Sequence, residues 1–369
     1  DPDREREAAG SVGSDDRCFH PTYTHQVFNA EEKITGYVGL GIDLEYNAST
    51  LAVRSRITYS ERCEPADDLE TALAQLLGTA RVSSSDGFLA PAPPVGEVVH
   101  TYTRQSAGEQ VAFEVRRATF AEAAARELNS RITSLLLLFV DGASSIDESD
   151  HKWLTLTCYE RRAAGPPRVV GYTTVYPFSV VLPGGVGLVE RFRLSQILVL
   201  PPYQRGGHGA ELLNCVYREA MARGSHEVAI EDPGPDMMRC QLSTNVHNAA
   251  SAGLLADASS FVWQCKDKFV TVARKALLLA APAATALFEL CMLALLDQTD
   301  DEALRAFRLA LKARLFKEDE QLLELELEPR KEELALRYEE CFERYSVVLA
   351  TPRVRTVLSS TLLLQRPVG

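Results

Sequence analysis

Leu194-Ser195-Gln196-Ile197-Leu198-Val199-Leu200-Pro201-Pro202-Tyr203-Gln204-Arg205-Gly206-Gly207-His208-Gly209-Ala210 sets the reading of the whole chain. Leu194 to Leu200 is a short, mostly apolar run, as a strand would be. Pro201 and Pro202 stop it, because two successive residues lack an amide donor. The glycines that follow allow close backbone approach. After them Leu212, Leu213, Val216, Tyr217 and Ala220 fall on one face of a helix. Val228, Ala229 and Ile230 then read as a second strand, ending at Glu231-Asp232-Pro233. The unit is strand, glycine-rich turn, helix, strand.

Such a turn offers amides and a helix N-terminus to a diphosphate, with Arg205 adding positive charge. It is neither a P-loop nor a dinucleotide fingerprint. No Lys-Ser/Thr follows the glycines, and Leu212 stands where a third glycine would be. A tight turn alone would also explain these glycines, and a helix cap would explain Glu231-Asp232-Pro233.

Around this unit the 369 residues suit two or three domains. The formal charge of −12 argues against a nucleic-acid face and suits a basic partner, although solubility alone would also explain it. Eight cysteines are scattered with no close pair, which points to reduced thiols in a cytosolic or nuclear protein. No signal peptide begins the chain, and the missing initiator Met reads as a fragment. Residues 1–17 are polar and are expected to be disordered. Residues 18–119 read as an N-terminal mixed α/β domain, with strands in Tyr37 to Tyr46 and Leu51 to Tyr59. A short helix is expected from Asp67 to Leu77 and a loop from Val82 to Gly96. Residues 120–244 read as strands around one clear helix, and 245–369 as a helical domain. Ala276 to Leu296 is long and apolar enough to span a bilayer, but Pro282, Glu289 and its alanines favour a buried helix hairpin. Pro329 is expected to divide the stretch Asp300 to Tyr345 into two helices. Glu333 with Arg337 and Glu340 with Arg344 are expected as surface pairs.

Gln204-x-x-Gly207-x-Gly209 resembles the pyrophosphate loop of the GNAT acetyltransferase superfamily. Ser195 to Gln204 with Gly207 to Leu213 resembles the type B histone acetyltransferases in particular. So do Tyr23-Thr24-His25-Gln26-Val27-Phe28, Gly36-Tyr37-x-Gly39-Leu40 and Glu231-Asp232-Pro233. The resemblance covers roughly two-thirds of the chain and weakens after Asp236. It implies an α+β fold, a GNAT-like splayed mixed sheet with an N-terminal α/β domain and a C-terminal helical domain. Acetyl-CoA would lie between the strands ending at Leu200 and Asp232.

By the same resemblance, Ile197, Leu198 and Val199 would bind the acetyl and pantetheine part. Gln204, Arg205, Gly206, Gly207, His208, Gly209 and Ala210 would cradle the pyrophosphate, with His208 packing or capping. Glu231 would be the general base beside Asp232. Asp141 stands where the family has a Glu that assists, and its shorter reach, or a strand-end turn before Gly142, competes with that role. Trp153, Tyr176 and Phe178 would line the histone tail or belong to the core, and Pro177 departs from the polar residue expected between the last two. Glu31 and Glu32 would make an acidic spot, weakened by Ala30, or be merely solvated.

The expected reaction is acetyl transfer from acetyl-CoA to lysines of newly made histones, chiefly the tail of histone four. A WD-repeat histone chaperone is the expected partner, with no metal, no direct DNA and no membrane, in nucleus and cytoplasm. Near neutral pH only about one lysine in a thousand is a free amine, a deficit of roughly 4 kcal/mol that a carboxylate base would meet. Strand amides could stabilise the oxyanion. Two alternatives stand beside it: an enzyme of the same fold acting on another amine, and an acetyl-CoA-binding scaffold without turnover.

Overall fold

The computed structural model describes residues 18–89, 92–106, 108–161, 165–182, 187–297, 299–319 and 321–362. The expected disordered start, residues 1–17, lies outside them. The chain forms two compact units. One comprises residues up to Tyr176 together with Ser195–Cys215, and the other comprises Pro177–Leu194 and Val216 onward.

In the first unit, β1 (Tyr37–Val38) pairs antiparallel with β4 (Glu61–Arg62), and β2 (Gly41–Tyr46) with β3 (Val53–Thr58). Helix α1 (Leu69–Leu77) starts where Asp68 accepts the Thr71 amide at 3.1 Å, satisfying one of the orphan donors at a helix start. It buries Leu69, Leu73, Leu76 and Leu77, the i, i+4, i+7 face. The loop expected from Val82 to Gly96 contains one short helix, α2 (Ser85–Leu89).

Strands β5 (Glu97–Ser106), β6 (Glu109–Thr119), β7 (Leu154–Arg161) and β8 (Arg168–Val181) pair antiparallel in sequence order, followed by β9 (Leu188–Val199). Leu154 to Tyr159 are all buried, so β7 is covered on both faces. Helix α3 (Ala123–Phe139) covers one face, packing Leu128, Ile132, Leu135 and Leu136 with Tyr159, Tyr172, Leu198 and Leu200. This helix corrects the expectation of a single helix in the central zone. Its polar residues Asn129, Arg131 and Ser134 interrupt the apolar run, while the buried stripe keeps helical spacing. On the other face lies α4 (His208–Ala222), whose Leu212 and Leu213 are fully buried.

In the second unit the early part of β9 pairs in parallel with β10 (Val228–Ile230), through Phe192, Arg193 and Leu194. That parallel pair beside antiparallel strands makes the sheet mixed, as the α+β reading expected. The other side of β10 meets the Leu278 carbonyl, which accepts the Val228 amide at 2.7 Å. Helices α5 (Pro235–Ser251), α6 (Lys266–Leu277), α7 (Ala281–Leu295), α8 (Asp301–Glu318), α9 (Gln321–Glu324), α10 (Leu327–Ala350) and α11 (Pro352–Ser360) follow.

The apolar stretch Ala276 to Leu296 is buried in a helical unit but is not itself the expected hairpin: it takes in the last two residues of α6, a turn at Leu278–Ala280 and the single helix α7, with Pro282 in its first turn. No helix among the described residues is long and apolar enough to cross a membrane. Glu289 on α7 is fully buried and salt-bridged to Arg314 at 2.6 Å, with Tyr345 Oη donating to it at 2.7 Å. The stretch Asp300 to Tyr345 does divide, chiefly into α8 and α10, but not at Pro329 itself. That proline sits in the first turn of α10, where its missing amide has no intrahelical acceptor to lose, and the break lies earlier, between Glu318 and Leu327. Glu333 does accept from Arg337 at 2.7 Å, whereas Arg344 turns to Met238 Sδ and Cys341 Sγ.

Candidate active site

Strand β9 alternates. Gln196, Leu198 and Leu200 are buried, and Ile197 and Val199 are half-buried on the opposite face. Leu198 and Leu200 anchor the strand end in the core under α3. Gly171 on β8 permits this closeness: a Cβ there would lie 3.0 Å from the Leu198 carbonyl oxygen and 3.1 Å from Leu212 Cδ1. Glycine at this position therefore lets both β9 and α4 approach the sheet.

Beyond Leu200 the chain makes a 3₁₀ turn, Pro201–Tyr203, then two left-handed residues, Arg205 (φ 63°) and Gly207 (φ 83°). These reverse the backbone into α4. The first turn of any α-helix has amides without intrahelical acceptors, and here those belong to His208, Gly209 and Ala210, since the Glu211 amide already reaches the Gly207 carbonyl at 3.3 Å. Three adjacent donors at a positive helix end fit a diphosphate. The amides of Gln204 and Gly206 instead donate inside the turn, to Pro201 and Tyr203. The Gln204 side chain donates to the Val199 carbonyl at 3.0 Å, locking the turn to the strand.

The turn is held from β5 by a row of residues at spacing two. Arg104 donates to the Gly206 carbonyl at 3.2 Å and to Glu211 at 2.5 Å, and His100 Nε2 lies 3.0 Å from Glu211. Burial raises the Glu211 carboxyl, but hydrogen bonds from Arg104 and His100 outweigh that and hold it below its ordinary value. His208 is buried, its Nδ1 2.6 Å from Tyr102 Oη and its ring 4.6 Å from Phe113. Burial first, then the Arg104 charge, pushes its imidazole down to about 4. His208 is therefore a neutral packing residue whose backbone amide faces the turn. Sequence reasoning missed Arg104, His100 and Tyr102, although their alternation along β5 was visible.

Asp141 follows the end of a helix, α3, and not the end of a strand. Its neighbours Val140 and Ala143 pack against the cluster containing Leu198 and Leu200, and Gln196 Nε2 donates to the Ser144 carbonyl at 2.7 Å. The segment is thus fastened to β9 beside Ile197. Asp141 itself is exposed, with His25 Nε2 3.3 Å away.

Glu31 and Glu32 part company. Glu31 stands in solvent paired with Lys33 at 3.0 Å. Glu32, with φ 55°, turns back to accept the Thr24 and His25 amides at 2.7 and 3.0 Å. These bonds hold its carboxyl below the usual range. Trp153 is buried with Phe120, Ala118 and Ala125, a core position, and its ring lies 4.9 Å from Tyr176, whose hydroxyl donates to Asp150 at 2.7 Å.

In the second unit, Phe178 is half-buried with the Arg191 guanidinium 6.0 Å from its ring centre. Glu231 is placed by its backbone: its amide donates to the Leu194 carbonyl at 3.0 Å, extending the β9–β10 ladder by one residue. Its carboxylate is 38% exposed and lies 3.3 Å from Arg193 Nη1. Asp232 follows with φ 36° and is exposed, and Pro235 then opens α5. The left-handed residue after Glu231 turns the chain away, leaving the carboxylate at the strand end.

The sequence is similar over most of its length to known proteins. The family model for the N-terminus of histone acetyl transferase HAT1 matches residues 3–141. The histone acetyltransferase type B catalytic subunit of Cryptococcus neoformans is 29% identical, over 90% of this chain and 89% of that protein. Its counterpart in Rattus norvegicus is 31% identical, over 82% of this chain and 75% of that protein, and the human one is 30% identical with the same coverage. Shared over most of both sequences, this similarity shows that the chain belongs to the family of type B histone acetyltransferase catalytic subunits and is an acetyltransferase.

Proposed function

We propose that this acetyltransferase transfers acetyl from acetyl-CoA to lysine side chains of newly made core histones, the tail of histone four above all. The observation that carries the reading is the turn after β9, where left-handed Arg205 and Gly207 present the amides of His208, Gly209 and Ala210 as a diphosphate cradle. Acetyl-CoA, when bound, supplies a thioester carbonyl to be attacked by the amine. Half-buried Ile197 and Val199, with buried Leu198 between them and continuous with that turn, would orient the pantetheine chain.

Glu231 is the general base. An ammonium near pKa 10.4 must lose a proton before its nitrogen can attack, and an exposed carboxylate fixed at a strand end can collect it directly or through water. The nitrogen–carbon bond then forms, the carbon–sulfur bond breaks and the thiolate leaves. Asp232 and Asp141 are the further carboxylates of the machinery. Tyr176 and Phe178 are the aromatic groups we assign to the histone tail, with Glu31 as its acidic neighbour; Trp153 supports Tyr176 from the core. The charge of −12 suits a Lys/Arg-rich substrate. A WD-repeat histone chaperone as partner, and action in nucleus and cytoplasm, complete the proposal.

The test is transfer of labelled acetyl from acetyl-CoA to a histone-four tail peptide, against the same peptide with every lysine replaced by arginine. Label on the first peptide alone is expected. No label on either, or efficient labelling of small amines only, sinks the reading.

A further inference from the structure

We infer that Arg193 is a positioning residue for the reaction, its guanidinium holding the Glu231 carboxylate at the end of β10, which rests on the acetyltransferase reading above with Glu231 as the base. A base must stand within hydrogen-bond reach of the proton it takes, and small displacements of a reacting group cost large factors in rate. The backbone fixes where Glu231 begins. Strand β10 has three residues, and just beyond it the Glu231 amide donates to the Leu194 carbonyl at 3.0 Å. Asp232, left-handed, then turns the chain away. The side chain is another matter. A glutamate has three rotatable bonds, and this one is exposed, so its carboxylate takes its position from a side-chain partner.

The parallel strand pair brings that partner to the place. Phe192 stands opposite Val228, Arg193 opposite Ala229 and Leu194 opposite Ile230. Phe192 and Leu194 are buried, so Arg191 and Arg193 lie on the other face of β9. The same alternation puts Glu227, Ala229 and Glu231 on that face of the neighbouring strand. Two carboxylates therefore flank Ala229. Glu227 is buried and already holds two guanidinium groups, those of Arg191 and of Arg274, the latter at 3.0 Å. Arg193 reaches the other carboxylate: its Nη1 lies 3.3 Å from Glu231 Oε1. Opposite Arg193 the strand carries only the methyl of Ala229, so the long stem can run on to the residue two places further, about 7 Å along the strand.

An ion pair as exposed as this one contributes little to stability. Its effect is on geometry. A planar guanidinium offers donors in fixed directions, which restricts the carboxylate to few rotamers, whereas a lysine ammonium would supply charge without that fork.

The test uses the full chain with acetyl-CoA and a histone-four tail peptide in single-turnover transfer at saturating acetyl-CoA. It compares Arg193→Met, Arg193→Lys, Glu231→Gln and the double variant Arg193→Met with Glu231→Gln. Arg193→Met is expected to lower the transfer rate about 5–30-fold, with acetyl-CoA affinity by calorimetry unchanged within about twofold. Arg193→Lys should recover part of that loss. In the Glu231→Gln background, removing Arg193 should change the rate by no more than about twofold, because it acts through the carboxylate. An Arg193→Met rate within about twofold of wild type, a loss that multiplies with that of Glu231→Gln, or an unchanged rate with weakened acetyl-CoA binding overturns the inference. A second measurement needs no turnover: in crystals the Glu231 side chain should take one rotamer in the wild type and spread over several in Arg193→Met. The same ordered rotamer in both overturns the positioning role. A wild-type chain that transfers no acetyl, or a Glu231→Gln variant that keeps its rate, overturns the underlying reading instead.

Discussion

Acidification should weaken the first unit through His208, the residue at the start of α4. Its side chain is buried, it hydrogen-bonds Tyr102 at 2.6 Å, and its imidazole is pushed from 6.5 down to about 4. Between those values the unfolded chain holds a proton that the folded chain does not, so stability falls as pH drops from about 6.5 to about 4 and levels off below. Comparing the two proton-binding polynomials at pH 5 with those at pH 8 gives a loss of about 2 kcal/mol from this one group. His208→Phe keeps a ring beside Phe113 and Tyr203 and removes the titration, while Tyr102 retains Cys158 Sγ at 3.1 Å. The assay is urea unfolding followed by Trp153 fluorescence in a Trp263→Phe background, which leaves one indole of the two. At pH 8 the wild type should be the more stable, and by pH 5 its stability relative to His208→Phe should have dropped by about 2 kcal/mol. A difference between the two proteins that stays constant from pH 8 to pH 5 would refute a neutral, buried His208.

Arg104→Met keeps an unbranched stem but removes the guanidinium over the Tyr102 ring and its bonds to Gly206 and Glu211; acetyl-CoA affinity should fall about 5–20-fold by calorimetry, and unchanged affinity would detach the β5 row from the turn. Gly171→Ala sets a methyl against the Leu198 carbonyl and Leu212, and unfolding should show a loss of about 1–3 kcal/mol. Glu289→Ala removes the buried carboxylate that holds Arg314 and Tyr345, leaving Arg314 its exposed partner Glu318, and should cost about 2–4 kcal/mol in a denaturant titration.

The strand, turn, helix and strand around Gly207 were legible because their signals are local. Paired prolines end a strand, glycines precede an apolar helical face, and Val228 to Ile230 is a strand as read. The helix before Asp141 was harder to see, because its stripe is broken by residues whose partners are distant in sequence, such as Asn129, which accepts from Tyr172 at 2.9 Å. Pro329 shows that a proline marks a boundary without saying which side of it the helix lies on. The supports of the site could not be recognised as such, although the alternation of His100, Tyr102 and Arg104 along β5 was visible. Arg104 meets Glu211 across 107 residues, and His25 meets Asp141 only because an N-terminal segment caps a helix far along the chain. Such contacts follow from tertiary packing and leave no periodic trace. The pair Glu31-Glu32 reads as one acidic spot, yet one left-handed residue sends the two carboxylates to different tasks.

Single-turnover acetyl transfer with Glu231→Gln, alongside calorimetric acetyl-CoA binding, tests the proposed proton acceptor most directly. The glutamine keeps the backbone bond to Leu194 and the size of the side chain, and loses the basic oxygen together with the charge that faces Arg193. Expected is a fall in the transfer rate of about 10²–10⁴-fold with acetyl-CoA affinity unchanged within about twofold. A variant that keeps its rate within about tenfold of wild type while binding acetyl-CoA normally would contradict Glu231 as the base.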